Sequence, residues 1–372
     1  MDLSKKGLFY VATKDISSDS EIEYKNGILI PDECLSKFKI AHKDSVLICA
    51  EGGSAGKKLA YNSEYDICFV NKLFAFEANN SIFSKFVFYY YQSSDFSKHF
   101  KNRLAGLIGG VSLQKFKEIQ CPVPPLEEQK SIVKILDEKF AQLETIKTNA
   151  QTNLQNAKDL FQSQLAKAFS NTTWEKKRLG DCGTFKNGMN FAANDSGYTI
   201  RSLGVGDFKD RYSIDNTETL SEISLKAAPS EDYLLQDGDI VFVRSNGNKE
   251  LVGRCLLVYP KDIPTTYSGF CIRFRKDFEL LDADFLLHYM KAESSKKILN
   301  GKEGANISNL NQKILGDFKV PLPPLPEQKR IVEELDTLSE KVRQLQEIYT
   351  KQIANCDELK QSLLQKAFEG EL

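Results

Sequence analysis

One feature of this 372-residue sequence restricts its fold more than any other: it contains the same unit twice. Residues 122–137 read PVPPLEEQKSIVKILD and residues 321–336 read PLPPLPEQKRIVEELD, with 11 of 16 positions identical at an offset of 199. The offset persists without a gap, because residues 160–169 (LFQSQLAKAF) match residues 359–368 (LKQSLLQKAF) at 7 of 10 positions. Upstream, FVFYYY at 86–91 falls on FLLHYM at 285–290, again 199 apart, although there only the pattern of bulk is shared. Each repeat is a variable piece followed by a more constant one. Four segments result: 1–121, 122–173, 174–320 and 321–372.

After each P-x-P-P run, apolar residues recur at alternating steps of three and four. The first copy shows Leu126, Val133, Leu136, Phe140, Leu143, Ala150, Leu154, Ala157, Phe161 and Ala168. The second shows Leu325, Val332, Leu335, Val342, Leu345, Tyr349, Ile353, Cys356, Leu363 and Ala367. That is the seam of a long coiled-coil-like helix. The prolines forbid helix on their N-terminal side and are tolerated in its first turn, where Glu127, Glu128 and Glu327 complement the positive helix end. About 45 residues at roughly 1.5 Å each make a rod of about 65 Å. A helix so long with one apolar stripe needs a partner, and the other copy is the evident one.

The variable pieces read as mixed α/β, making the chain α+β overall. Short strands are expected at 46–49, 67–70, 73–76, 240–243, 256–259 and 267–274, with helices over 83–100 and 284–299. The cluster Phe86, Phe88, Tyr89, Tyr90, Tyr91 has the composition of a base-stacking platform, but on a helix beside strands such residues are core. Alignment of Gly7 with Gly197 leaves the first variable piece without a counterpart of residues 174–190. A start codon placed too far downstream, a strand supplied from elsewhere, or a rearranged variant would each account for this.

Composition excludes several classes. Lys and Arg number 50 against 51 Asp and Glu, a net charge of −1, so the bulk signature of a nucleic-acid binder is missing and such a reading needs local support. The eight cysteines, at 34, 49, 68, 121, 182, 255, 271 and 356, show no C-x-x-C spacing and read as reduced thiols. The opening MDLSKKGLFYVATKDI lacks a signal-peptide apolar run, and no stretch of 18 apolar residues occurs, which points to a cytoplasmic protein.

The sequence carries no recognised catalytic motif. The run EGGSAGKK at 51–58 has Glu51 where a phosphate-binding loop requires glycine, and Lys58 where it requires Ser or Thr. His42, His99 and His288 stand alone, and no metal ligand set, dinucleotide fingerprint or nucleophile elbow is present. The default is therefore a binding or architectural protein, with no metal or cofactor of its own. Each variable piece does carry a strand running into a Gly-rich loop with basic residues: 45–58 in the first and 239–249 in the second. Glycine permits close approach of backbone to a phosphate, and arginine, asparagine and lysine are the types that read base edges.

The doubled P-x-P-P-L-x-E-Q-K run, each copy opening a long helix that ends near K-A-F, and the closing FEGEL resemble the specificity (S) subunit of Type I restriction-modification enzymes. The sequence WEKKRLG at 174–180 and the run Asp237-Gly-Asp-Ile240 are similar to the entry and central strand of that family's target recognition domains. The resemblance implies two such domains, 1–121 and 174–320, separated by two long antiparallel helices in a pseudo-twofold tandem repeat. Each domain would read one half of a bipartite asymmetric DNA site, and the helices would set the spacer.

The same helices would dock two DNA-adenine methyltransferase (M) subunits, joined by restriction (R) subunits. S-adenosylmethionine, ATP and Mg would belong to those partners, and this chain would perform no chemistry. Candidate DNA contacts are Lys57, Lys58, Lys101, Arg103, Arg201, Arg244, Asn246, Lys249, Arg254, Lys302 and Asn306. Leu126, Val133, Leu136, Phe140, Leu143, Leu154 and Phe161 of the first helix, with Leu325, Val332, Leu335, Val342, Leu345, Ile353 and Leu363 of the second, are the candidate helix–helix and M-subunit interface. A methyltransferase fused to its reader is disfavoured, since no N/D-P-P-Y/F run occurs. A coiled-coil adaptor that never touches DNA is the remaining alternative.

Overall fold

A computed structural model describes residues 7–24, 28–105, 109–192, 194–208, 211–292, 295 and 309–372. The chain divides into two compact units, Met1–Thr152 with Tyr349–Leu372, and Asn153–Ile348. The division runs through the long helices, so each unit owns the start of one and the end of the other.

Unit 1 contains β1 (Gly7–Val11), β2 (Leu29–Pro31), β3 (Lys39–Ala41), β4 (Ser45–Cys49), β5 (Leu59–Asn62), β6 (Ile67–Phe69) and β7 (Leu73–Phe76). Helices α1 (Ser84–Tyr90), α2 (Ser94–Lys101) and α3 (Leu113–Lys117) precede α4 (Leu126–Ala168). The strands form a sheet ordered β2-β1-β6-β3 and another ordered β5-β4-β7. The expected helix over 83–100 is two helices, because the Ser93 hydroxyl accepts from the Phe96 amide and restarts the chain as an N-cap.

Unit 2 contains β8 (Lys176–Arg178), β9 (Gly183–Asn187), β10 (Tyr198–Leu203), β11 (Ser213–Ile214), β12 (Glu222–Leu225), β13 (Asp239–Val243) and β14 (Cys255–Val258). They are followed by β15 (Thr265–Tyr267), β16 (Cys271–Lys276), α5 (Ala283–Lys291), α6 (Gln312–Asp317), β17 (Lys319–Pro321) and α7 (Leu325–Glu369). The main sheet is ordered β11-β14-β13-β16-β9, with smaller sheets β12-β10-β15 and β17-β8. The strand expected over 267–274 is interrupted at 268–270, where the chain passes from β15 to β16. Most of 292–299 lies outside the described residues.

The repeat is preserved down to individual hydrogen bonds. Gln129 is fully buried; its Oε1 accepts from the Phe83 amide at 2.8 Å, and its Nε2 donates to Ser81 O at 3.1 Å and Pro124 O at 2.8 Å. Gln328, 199 residues on, accepts from the Asp282 amide at 2.9 Å and donates to Leu280 O and Pro323 O, both at 2.8 Å. Every partner is offset by the same 199. Two turns further along each helix, Asp137 takes the Tyr89 hydroxyl and the Lys85 ammonium, whereas Asp336 takes His288 Nε2 at 2.8 Å. The aromatic run is core, as its setting suggested: Phe86, Tyr89, Tyr90 and Tyr91 are all buried.

Each helix ends on the other repeat's aromatic pair. In unit 1, the Phe368 ring lies 5.1 Å from Phe86 and 5.2 Å from Tyr90; in unit 2, Phe169 lies 5.3 Å from Phe285 and 5.2 Å from Tyr289. Within unit 1, Lys147 Nζ meets Asp357 at 2.7 Å and Lys360 Nζ lies 5.1 Å over the Phe140 ring. Leu136 shares a cluster with Leu364, so the two helices run antiparallel.

Val133, Leu136, Phe161, Leu335 and Val342 are buried in the helix packing. Leu126, Phe140, Leu143, Leu154, Leu325, Val332, Ile353 and Leu363 are half-buried. Leu363 packs against the same cluster as Leu364. Leu364, not Leu363, is fully buried, because the inner ladder steps from Cys356 through Lys360 to Leu364 and Ala367. Leu345 is 37% exposed, because a step of four from Val342 lands on Gln346.

Candidate nucleic-acid interface

Both units present the same loop frame at the end of their central strand. In unit 2, Asp239 opens β13 as a buried carboxylate that accepts Arg275 Nε at 2.8 Å and Nη2 at 2.7 Å. The bidentate geometry ties β13 to β16, and its hydrogen bond raises the Arg275 pKa above the ordinary guanidinium value. Asp239 also accepts the Gln236 amide, closing the turn at Gly238, whose φ is 87°. Asp44, at φ 64°, makes the equivalent left-handed turn before β4.

At the far end of β13, the Arg244 amide donates to Phe270 O and the Leu310 amide donates to Arg244 O, both at 2.8 Å. The corresponding bonds in unit 1 run from the Ala50 amide to Lys72 O at 2.8 Å and from the Val111 amide to Ala50 O at 2.9 Å. Arg244 therefore occupies the place that buried Ala50 holds in unit 1. Each loop closes on a left-handed glycine: Gly253 (φ 83°) donates to Val243 O, and Gly56 (φ 69°) to Cys49 O. At Gly56 a side chain is doubly excluded, since a Cβ would lie 2.6 Å from the Phe100 ring. The frame is common, and the side chains it presents differ.

The structure sorts the candidate contacts. Arg244 is half-buried, and its guanidinium makes no hydrogen bond or ion pair with a described residue. Lys57 and Lys101 are exposed. Asn246 Oδ1 accepts the Asn248 amide at 2.8 Å and shapes the loop, and Arg254 Nε donates to Glu250 O at 3.4 Å. Three cations serve their own fold. Lys58 Nζ donates to Thr13 O and Ile16 O at 2.9 and 2.8 Å, Arg103 clamps His99 O and Glu118 O, and Arg201 holds Leu220 O and Glu222. The Lys249 side chain, Lys302 and Asn306 lie outside the described residues.

Two exposed residues beside the loops carry no signal in the sequence. Phe270 is 59% exposed next to Arg244, and Lys72 is exposed at the matching place in unit 1. Only the hydrogen bonds to their carbonyls reveal them. Burial pushes the neighbouring Cys271 thiol up to about 12, so it is a packing group rather than a reactive one.

Two similar α/β heads, each built on the start of one long helix and the end of the other, define a two-headed recognition protein. The model of the Type I restriction modification DNA specificity domain matches residues 10–154 and again 171–353. The chain belongs to that family, and carries its domain twice. It is 27% identical to the Type I restriction enzyme StySPI specificity subunit of Salmonella potsdam, over 90% of this chain and 76% of the relative.

Identity to the EcoKI specificity subunit of Escherichia coli K12 is 25%, with the same coverage of both chains. Among solved structures, the HsdS subunit from Thermoanaerobacter tengcongensis has the same fold, with a TM-score of 0.62 and 20% identity across 99% of this chain and 92% of that one. A chain from work on complex assembly and conformational transition of the type I R-M system superposes at a TM-score of 0.82, with 20% identity over 99% of this chain and 93% of that one. The chain is thus a Type I DNA specificity subunit, and the adaptor alternative is not favoured. No helix among the described residues is long and apolar enough to cross a membrane.

Proposed function

We propose that each unit reads one half of a bipartite, asymmetric DNA site while the long helices fix the distance between the halves. The observation that carries this is the shared loop frame with unlike contents: Ala50 against Arg244, Lys72 against Phe270, and closing glycines at different loop lengths. A repeated frame with different side chains gives two readers of similar geometry and different sequence preference. Linking them makes the second half-site engage at high effective concentration only when the spacing fits.

The helices would dock two M subunits, and R subunits would join that assembly. Pairs of exposed apolar residues support a doubled docking surface: Ile146 with Leu345, and Leu160 with Leu359, each pair 199 apart and 37–49% exposed. In this reading S-adenosylmethionine, ATP and Mg bind the partners, and this chain contributes recognition without chemistry. The near-neutral charge leaves much of the phosphate grip to the M subunits.

A salt titration of DNA binding tests the assignment. The chain with its M subunits should lose about 10³-fold or more in affinity between 50 and 200 mM salt, as expected for several phosphate contacts, and the chain alone should bind weakly. Salt-independent binding, or none with the M subunits present, would contradict it. Arg244→Ala should weaken binding by about 1–3 kcal/mol and relax preference at one half-site only, measured by competition with oligonucleotides altered in either half. Equal relaxation of both halves would reject a local reading role for Arg244.

A further inference from the structure

A single exposed apolar side chain is ordinary on a protein surface, but Phe270 of unit 2 differs in how it is held. Its ring is 59% exposed and stacks on no described residue, while Tyr267 and Cys271 on either side of the turn are fully buried. Three other segments tie this turn down. The Ser268 amide donates to Leu203 O at 2.9 Å, the Gly269 amide to Met189 O at 2.7 Å, and the Cys271 amide back to Ser268 O at 2.8 Å. The Phe270 amide donates to the Ser268 hydroxyl at 3.3 Å, and its carbonyl accepts the Arg244 and Ser245 amides at 2.8 and 3.4 Å. Packing is so close that a Cβ on Gly269 would lie 2.0 Å from Asn190 Oδ1. The ring is thus carried on a fixed backbone next to Arg244, and little ordering is left to oppose binding.

Resting on the reading of unit 2 given above, we propose that Phe270 is a specificity residue. Its ring contacts the 5-methyl group of a thymine in the base pair beside the one that Arg244 reads. The planar arginine fork matches guanine O6 and N7, which lie in the major groove, and the thymine methyl is the apolar group that this groove presents. Neighbouring strands lie about 4.8 Å apart and successive base pairs about 3.4 Å apart, so residues 244 and 270, joined through their backbones, reach adjacent pairs. A ring wedged between base steps is a device of the minor groove, where an arginine finds no guanine O6 or N7.

Unit 1 has Lys72 at the same place in the frame, where the Lys72 carbonyl accepts the Ala50 amide. An ammonium seeks acceptors on the bases and has no preference for a methyl group. The two readers therefore differ here in the kind of group they detect.

The test uses the full chain in complex with its M subunits. Methylome sequencing with the unaltered chain, with Arg244→Ala and with Phe270→Ala gives the motif in each case. Phe270→Ala, a change at an exposed side chain, should relax a thymine at one position, in the half-site that Arg244→Ala relaxes and next to the base pair lost there. In binding competition, deoxyuridine in place of that thymine should weaken the unaltered complex about fourfold, the worth of one buried methyl group, and leave the Phe270→Ala complex unaffected. Phe270→Lys should shift the preference at that position from thymine towards guanine. An unchanged motif, relaxation at a base pair without thymine or outside that half-site, or equal sensitivity of both complexes to deoxyuridine would overturn the inference. If Arg244→Ala relaxes its half-site and Phe270→Ala does not, this contact alone is wrong; if neither does, the reading role of the loop frame falls with it.

Discussion

Insertion of four helical residues after Gln151 lengthens the spacer of the DNA sites modified with this chain and leaves both half-sites unaltered. The insertion falls at the end of unit 1, between buried Ala150 and buried Ala157, so it adds length without removing a core side chain of either unit. Four residues add about 6 Å along the axis and turn the remainder of the helix by about 40° beyond a full revolution. That displacement corresponds to roughly two base-pair steps of about 3.4 Å. At the original spacing the two heads no longer engage together, and the advantage of linkage, about 10²-fold or more, is lost. Methylome sequencing of cells carrying the altered chain reads the effect directly. An unchanged spacer would mean that something other than the helices measures distance.

The second large effect is on stability. Gln129→Leu and Gln328→Leu should each destabilise their unit by about 3 kcal/mol, from three lost hydrogen bonds at roughly 1 kcal/mol apiece and the buried backbone groups left without a partner. Because the partners of the two glutamines match one for one, the two costs should agree within about 1 kcal/mol, within the usual context dependence of a hydrogen bond. Urea unfolding with hydrogen exchange resolved by peptide measures both in the full chain. A cost below about 0.5 kcal/mol at either site, less than one ordinary hydrogen bond, would show that the glutamine is not what joins each helix start to its domain.

These glutamines also show how much of the fold was legible in the sequence. Gln129 and Gln328 stand inside the repeat motif, so their duplication is visible, but their burial against three backbone groups is tertiary information. The helices and their antiparallel partnership follow from periodicity and from the lack of any other apolar surface of matching length. Where two adjacent leucines compete, as at Leu363 and Leu364, a 3.6-residue period does not choose between them, and the packing does.

The candidate interface was less legible. Basic residues look alike in sequence, yet Lys58, Arg103 and Arg201 spend their donors on backbone carbonyls or a neighbouring carboxylate, and Arg244 does so with no described residue. That difference depends on which carbonyls remain unpaired nearby, a property of the folded chain. Phe270 was invisible for the opposite reason: an aromatic residue next to a strand reads as core, and only the break between β15 and β16 leaves it exposed.

The most direct test of the two-reader account is methylome sequencing of cells expressing the chain with its methyltransferase partners, against cells in which the chain is deleted. The account predicts a bipartite asymmetric motif, two unlike half-sites separated by a constant unspecified gap, present only with the chain. A continuous or palindromic motif, or a motif that survives deletion of the chain, would contradict it.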